Sequence, residues 1–119
     1  MATNPVYRVK FTPVDTIPSS LDQNNAVFIR LLKNVEVWVQ FSDDVALQED
    51  VTLLKWIPEA NAGAGAWYPY RNPQSFDTTK YDGKFMAAWN NDIDNAAWFQ
   101  LLVPDDVTVI EAFMQGVKY

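Results

Sequence analysis

Hydrophobic and polar residues alternate with a period of two along most of this chain, the pattern of strands that bury one face. Across residues 6–12, Tyr7, Val9 and Phe11 fall on one side, with Arg8, Lys10 and Thr12 on the other. Across residues 35–41, Val35, Val37, Val39 and Phe41 make an unbroken apolar face opposite Glu36, Trp38 and Gln40. Residues 26–32 are apolar on both sides apart from Arg30, which suits a strand covered on both faces. Lys33-Asn34 then reads as a two-residue hairpin turn, since Asn tolerates positive φ. Residues 51–57, 85–89, 96–103 and 107–117 bring the strands to seven, and residues 45–47 offer an eighth. Pro104-Asp105-Asp106 reads as a turn, and Gly116 suggests a bulge in the last strand. Helical signal is confined to Ser20-Leu21-Asp22-Gln23, which predicts one turn opened by a serine cap.

So many short strands in 119 residues predict an all-β chain. The expected architecture is a single antiparallel β-sandwich domain over residues 1–119, jelly-roll-like, with seven to eight strands. Tyr7, Val9, Phe11, Val37, Val39, Phe41, Phe99 and Leu101 are expected to point inward. Two connections are longer than a turn. Residues 13–25 hold two prolines in a polar stretch, and residues 58–75 read PEANAGAGAWYPYRNPQS. Loops of that length often carry function.

Composition narrows the function. The chain has no Cys and no His, so no disulfide framework, no Ser-His-Asp or Cys-His mechanism, and no cysteine or histidine metal ligand is expected. Net charge is −6, and the nine basic residues are scattered singly, so no nucleic-acid partner is expected. The same balance weighs against an anionic membrane, and no apolar run approaches the ~20 residues of a spanning helix. The opening residues MATNPVYRVKF carry no basic region followed by an apolar core, so no secretion signal is expected.

Paired carboxylates are then the remaining acid–base equipment: Asp43-Asp44, Glu49-Asp50, Asp92 with Asp94, and Asp105-Asp106. All fall in expected turns, where Asp bonds local backbone and keeps strand ends soluble. No catalytic residue and no cofactor are therefore expected. Residues 90–95, NNDIDN, offer oxygen ligands for calcium but lack the spacing of a helix–loop–helix calcium loop, so no metal site is assigned.

Aromatic residues, 14% of the chain, are more informative. Trp38 projects from the polar side of its strand, and Trp67, Tyr68 and Tyr70 sit on the Gly/Ala/Pro-rich loop. Tyr and Trp join an apolar body to a polar tip and are enriched at interfaces. The four are the candidate protein-contact residues. The loop rings have two other readings, as a cap on one end of the sandwich or as a sugar-stacking platform.

Three features carry a resemblance over roughly residues 35–117. Residues 37–41 end in the polar turn Ser42-Asp43-Asp44, Gly65-Ala66-Trp67 forms a short G-x-W element, and residues 97–103 lead through Pro104-Asp105-Asp106 into a long last strand. In these the chain resembles small jelly-roll modules of tailed-phage virion proteins, among them head decoration (cement) proteins, head fibres and tail-associated domains. It departs from them in having few glycines and a polar N-terminal third. The resemblance implies a non-enzymatic homo-oligomeric protein of the virion, made in the host cytoplasm. As a capsid decoration protein it would bind copies of itself and a major capsid protein. The alternative is a carbohydrate-binding module using the clustered aromatics.

Overall fold

A computed structural model describes residues 6–41, 51–71, 73, 86–90, 96–105 and 107–118. The described residues form eight strands: β1 (Val6–Phe11), β2 (Val27–Ile29), β3 (Leu32–Phe41), β4 (Thr52–Ile57), β5 (Ala66–Pro69), β6 (Met86–Asn90), β7 (Ala97–Leu102) and β8 (Val109–Lys118). They build two four-stranded sheets, ordered β1-β8-β3-β6 and β2-β7-β4-β5. Every strand pairing is antiparallel. The pairs β1–β8, β2–β7, β3–β6 and β4–β5 are nested, as in one long hairpin ribbon. The further pairings β8–β3 and β7–β4 roll that ribbon onto itself, which makes the sandwich a jelly roll.

The alternation places the core as expected for most positions. Val35, Val37, Val39 and Phe41 of β3 and Met114 of β8 are buried against Val27, Ile29, Leu53, Phe99 and Leu101 of the second sheet. Val9 and Phe11 pack against this cluster from β1. Tyr7 is a correction. It shares their face, but it lies beyond the end of the core and is 38% exposed. Val39 has no exposed surface. Val39→Ala is expected to cost about 1–3 kcal/mol, the lost methyl groups plus the cavity left behind. A urea midpoint unchanged from wild type would contradict the packing.

Four local expectations change. Lys33-Asn34 is not a hairpin turn, because β2 and β3 belong to different sheets. The chain crosses between them one step earlier, at Arg30 and Leu31, where Leu31 takes φ 57°. Lys33 and Asn34 lie inside β3, and between Lys33 and Glu36 this strand has one residue more than the facing stretch of β8 from Val117 to Gln115. The bulge is therefore on β3, with Asn34 supplying its positive φ of 54°. Gly116 lies across from it because a Cβ there would stand only 3.1–3.2 Å from Leu32, Lys33 and Val35. Ser20 opens no helical turn. Asp22 makes the turn instead, its carboxylate accepting from Asn24 N at 3.0 Å and its carbonyl from Asn25 N at 3.0 Å. Finally, the long 58–75 segment contains β5, although Gly, Ala and Pro hide it from a propensity reading. Residues 45–47 lie outside the described residues.

The outward side of the second sheet is covered over part of its area. The β1–β2 connection starts as a parallel bridge beside β7, with Val14 N donating to Leu101 O at 2.9 Å and Val103 N donating to Val14 O at 2.8 Å, and then crosses this face. The Gln100 side-chain amide donates to Asn25 O, and the Trp67 indole donates to Ser20 O at 3.0 Å. Leu54 and Gln100, which are cross-strand partners, are therefore buried on the face turned away from the inter-sheet core.

Candidate functional site

Trp38 lies where the alternation puts it, on the outward face of the first sheet, but its surface is engaged. Its indole donates to Glu36 Oε2 at 2.7 Å, and its ring stacks on Phe113 at 6.4 Å and 18°. Gln115 joins the cluster by donating to the same Glu36 oxygen at 3.3 Å and accepting from Arg8 Nε at 3.0 Å. The Arg8 guanidinium lies over the Phe113 ring at 5.1 Å. Three adjacent strands are thus tied by one half-buried polar and aromatic cluster.

The three rings of the 58–75 segment do not form a common surface. Trp67 is 5% exposed, held under the β1–β2 connection and edge-on to Trp56 at 5.5 Å. Tyr70 turns inward and meets Phe99 edge-on at 5.4 Å, with Arg71 lying over its other side at 3.7 Å. Alternation along β5 explains the split. Trp67 pairs across from Trp56 on the outward face, and Tyr68 pairs across from Lys55 on the inward one. Tyr68, at the sheet edge, is half exposed. The G-x-W element is thereby a packing device, in which Gly65 makes room for the Trp56 ring.

The exposed apolar surface gathers elsewhere, at the corner between β2 and β3. Leu31 is 63% exposed, with Tyr7 and Phe28 beside it around a cleft of about 420 Å³. Arg30 and Lys118 also line this cleft, and the Lys118 ammonium stands 5.2 Å from the Tyr7 ring. Phe28 continues the surface onto the outward face of the second sheet, where its ring meets Trp98 at 5.1 Å with a 46° tilt. Trp56 and Trp98 line the adjoining groove, which opens past the end of the covering connection. The outward residues Phe28, Trp98, Trp56 and Trp67 thus occupy one row across all four strands, and only Trp67 is closed off.

Sequence reading missed Phe28, Leu31, Trp56 and Trp98. Strand 26–32 looked apolar on both faces and was expected to be covered on both. The available signal was Arg30 next to a leucine at a sheet-to-sheet corner. Of the carboxylates, Asp105 is exposed, while Asp43, Asp44, Glu49, Asp50, Asp92, Asp94 and Asp106 lie outside the described residues. Residues 91–95 of the calcium candidate also lie outside them. Among the described residues no three acidic side chains come together to hold a metal ion.

No protein-family model matches the chain, and searches of curated proteins and of solved structures found no match.

Proposed function

We propose that the chain is a non-enzymatic assembly module, a virion structural protein of the capsid decoration kind that binds copies of itself and a major capsid protein. The observation that carries this reading is Leu31. A leucine at positive φ is strained, and here it stands mostly in water beside two more exposed apolar rings. Apolar exposure at such a corner is removed when another surface covers it. Aliphatic and tilted aromatic groups suit a protein partner better than a sugar ring, which stacks on a flat exposed face. The jelly-roll strand order is consistent with this role, since viral capsid domains are built on it.

A carbohydrate-binding role is the second reading, favoured by the row Phe28, Trp98 and Trp56 on one sheet face. One pair of measurements decides between them. Sedimentation of the purified chain is expected to show a mass that rises above the monomer with concentration. Electrophoresis through gels containing soluble polysaccharides is expected to show no retardation. A chain that stays monomeric and is retarded, with retardation lost on Trp98→Ala, would overturn the assembly reading in favour of the sugar one.

A further inference from the structure

The cleft around Leu31 has a counterpart at the other end of the molecule. There the start of the β1–β2 connection and the turn before β8 enclose a groove of about 530 Å³. Its apolar lining includes Pro13, Pro18, Pro104 and Val107, and its charged residues are Asp15 and Asp105. β8 runs between the two sites. Val109 is at the acidic groove and Lys118 at the basic cleft, and the ten residues of the strand separate them by roughly 30 Å. Among the described residues, one end of the sandwich therefore presents apolar groups with two cations, and the opposite end presents apolar groups with two carboxylates. Arg30, Asp15 and Asp105 are exposed.

We infer that copies of this chain associate head to tail, the Arg30-Leu31 corner of one copy entering the Pro13–Val107 groove of the next. Arg30 and Lys118 then face Asp15 and Asp105, and Leu31 is removed from water. Neither end is complementary to itself, because two basic corners or two acidic grooves would bring like charges together. A two-fold dimer through either end is disfavoured for the same reason. A head-to-tail contact instead repeats, closing into a ring or running on as a filament according to the rotation between copies. This inference rests on the assembly reading above and adds to it which surfaces meet and in what order.

Two variants test it, both at exposed positions. The head variant carries Arg30→Ser and Leu31→Ser, and the tail variant carries Asp15→Lys and Asp105→Lys. The full chain is followed by sedimentation velocity, with circular dichroism verifying that each variant keeps the strand signal and melting temperature of the wild type. Wild type is expected to form species larger than a dimer. Each variant alone is expected to be monomeric where wild type assembles, its dissociation constant raised at least roughly tenfold. An equimolar mixture is expected to form a dimer and nothing larger, because one intact head meets one intact tail and the two damaged ends stop growth. If wild type assembles and either variant still assembles alone, or the mixture stays monomeric, the head-to-tail contact is wrong while self-association stands. A monomeric wild type overturns self-association itself. A variant that loses the wild-type melting temperature is replaced by its single substitutions, Leu31→Ser or Asp105→Lys, read in the same way.

Discussion

Replacing Trp67 by alanine is expected to destabilise the isolated chain by about 3–5 kcal/mol, the range for removing a large aromatic side chain from a packed site. The ring is almost completely buried, stands edge-on to Trp56, and sends its indole hydrogen bond to the Ser20 carbonyl. Alanine would leave a cavity between β5 and the β1–β2 connection and an unpartnered carbonyl under it. Trp67→Phe separates the two contributions, since it keeps most of the ring and loses a bond worth about 1 kcal/mol. Tyr68→Ala is the contrast. That ring is half exposed at a sheet edge, so its removal is expected to change stability by about 0.5 kcal/mol or less. Equilibrium urea unfolding of the three variants checks the order. Equal midpoints for Trp67→Ala and Tyr68→Ala would mean that Trp67 is not the clasp between strand and connection.

Gly65→Ala is expected to be comparably damaging for a different reason. Gly65 has φ +87°, and an added Cβ would fall 2.1 Å from Trp56 Cζ2, with two more ring carbons inside 3.0 Å. The backbone cost of positive φ is about 1–2 kcal/mol, and forcing the ring aside adds about 1–3 kcal/mol. The displaced ring is the one that Trp67 leans on, so the disturbance reaches the covering connection. Gly63 supplies an internal control, because it has φ +90° with nothing within 4 Å of an added Cβ. Gly63→Ala is expected to show the backbone cost alone. Thermal melts that place both variants at the same temperature would rule out the close approach of Gly65 to Trp56.

Both predictions depend on features that the amino-acid pattern conceals. Alternation located β1, β3 and β8 well because each has one face against the inter-sheet core, and burial of every second residue leaves a period-two trace. It could not indicate that the other face of the second sheet is covered as well. That covering comes from residues 13–25, a polar stretch with no periodicity, held by backbone and side-chain hydrogen bonds. The sequence therefore places Trp67 among the candidate protein-contact residues, while the structure buries its ring. The same limit applied at the corner. Lys33-Asn34 had the polarity of a turn, yet its backbone is used as a bulge inside β3, and the real crossing falls on Arg30 and Leu31. Positive φ at a leucine has no compositional mark. The candidate surface was legible only as an excess of aromatic residues. Which of them reach solvent is decided by how far the covering connection extends, and it stops short of Phe28, Trp98 and Trp56.

The nested strand order also sets how the chain must find its fold. The innermost pair, β4 with β5, is separated by a short link, so its two segments meet after little search. Each pair outward encloses more chain, until Tyr7 must locate Gly116. Closing such wide loops costs entropy before the contacts they permit are made. Chains dominated by distant pairings fold over milliseconds to seconds, slower than local ones. The zipper is therefore expected to start at β4–β5 and to end with β1 docking on β8. Until that last step the β8 edge from Ala112 to Val117 is open, with Phe113 among its residues. Substitutions in β1 are expected to accelerate unfolding while leaving the refolding rate almost unchanged, the kinetic mark of a strand that arrives after the rate-limiting barrier.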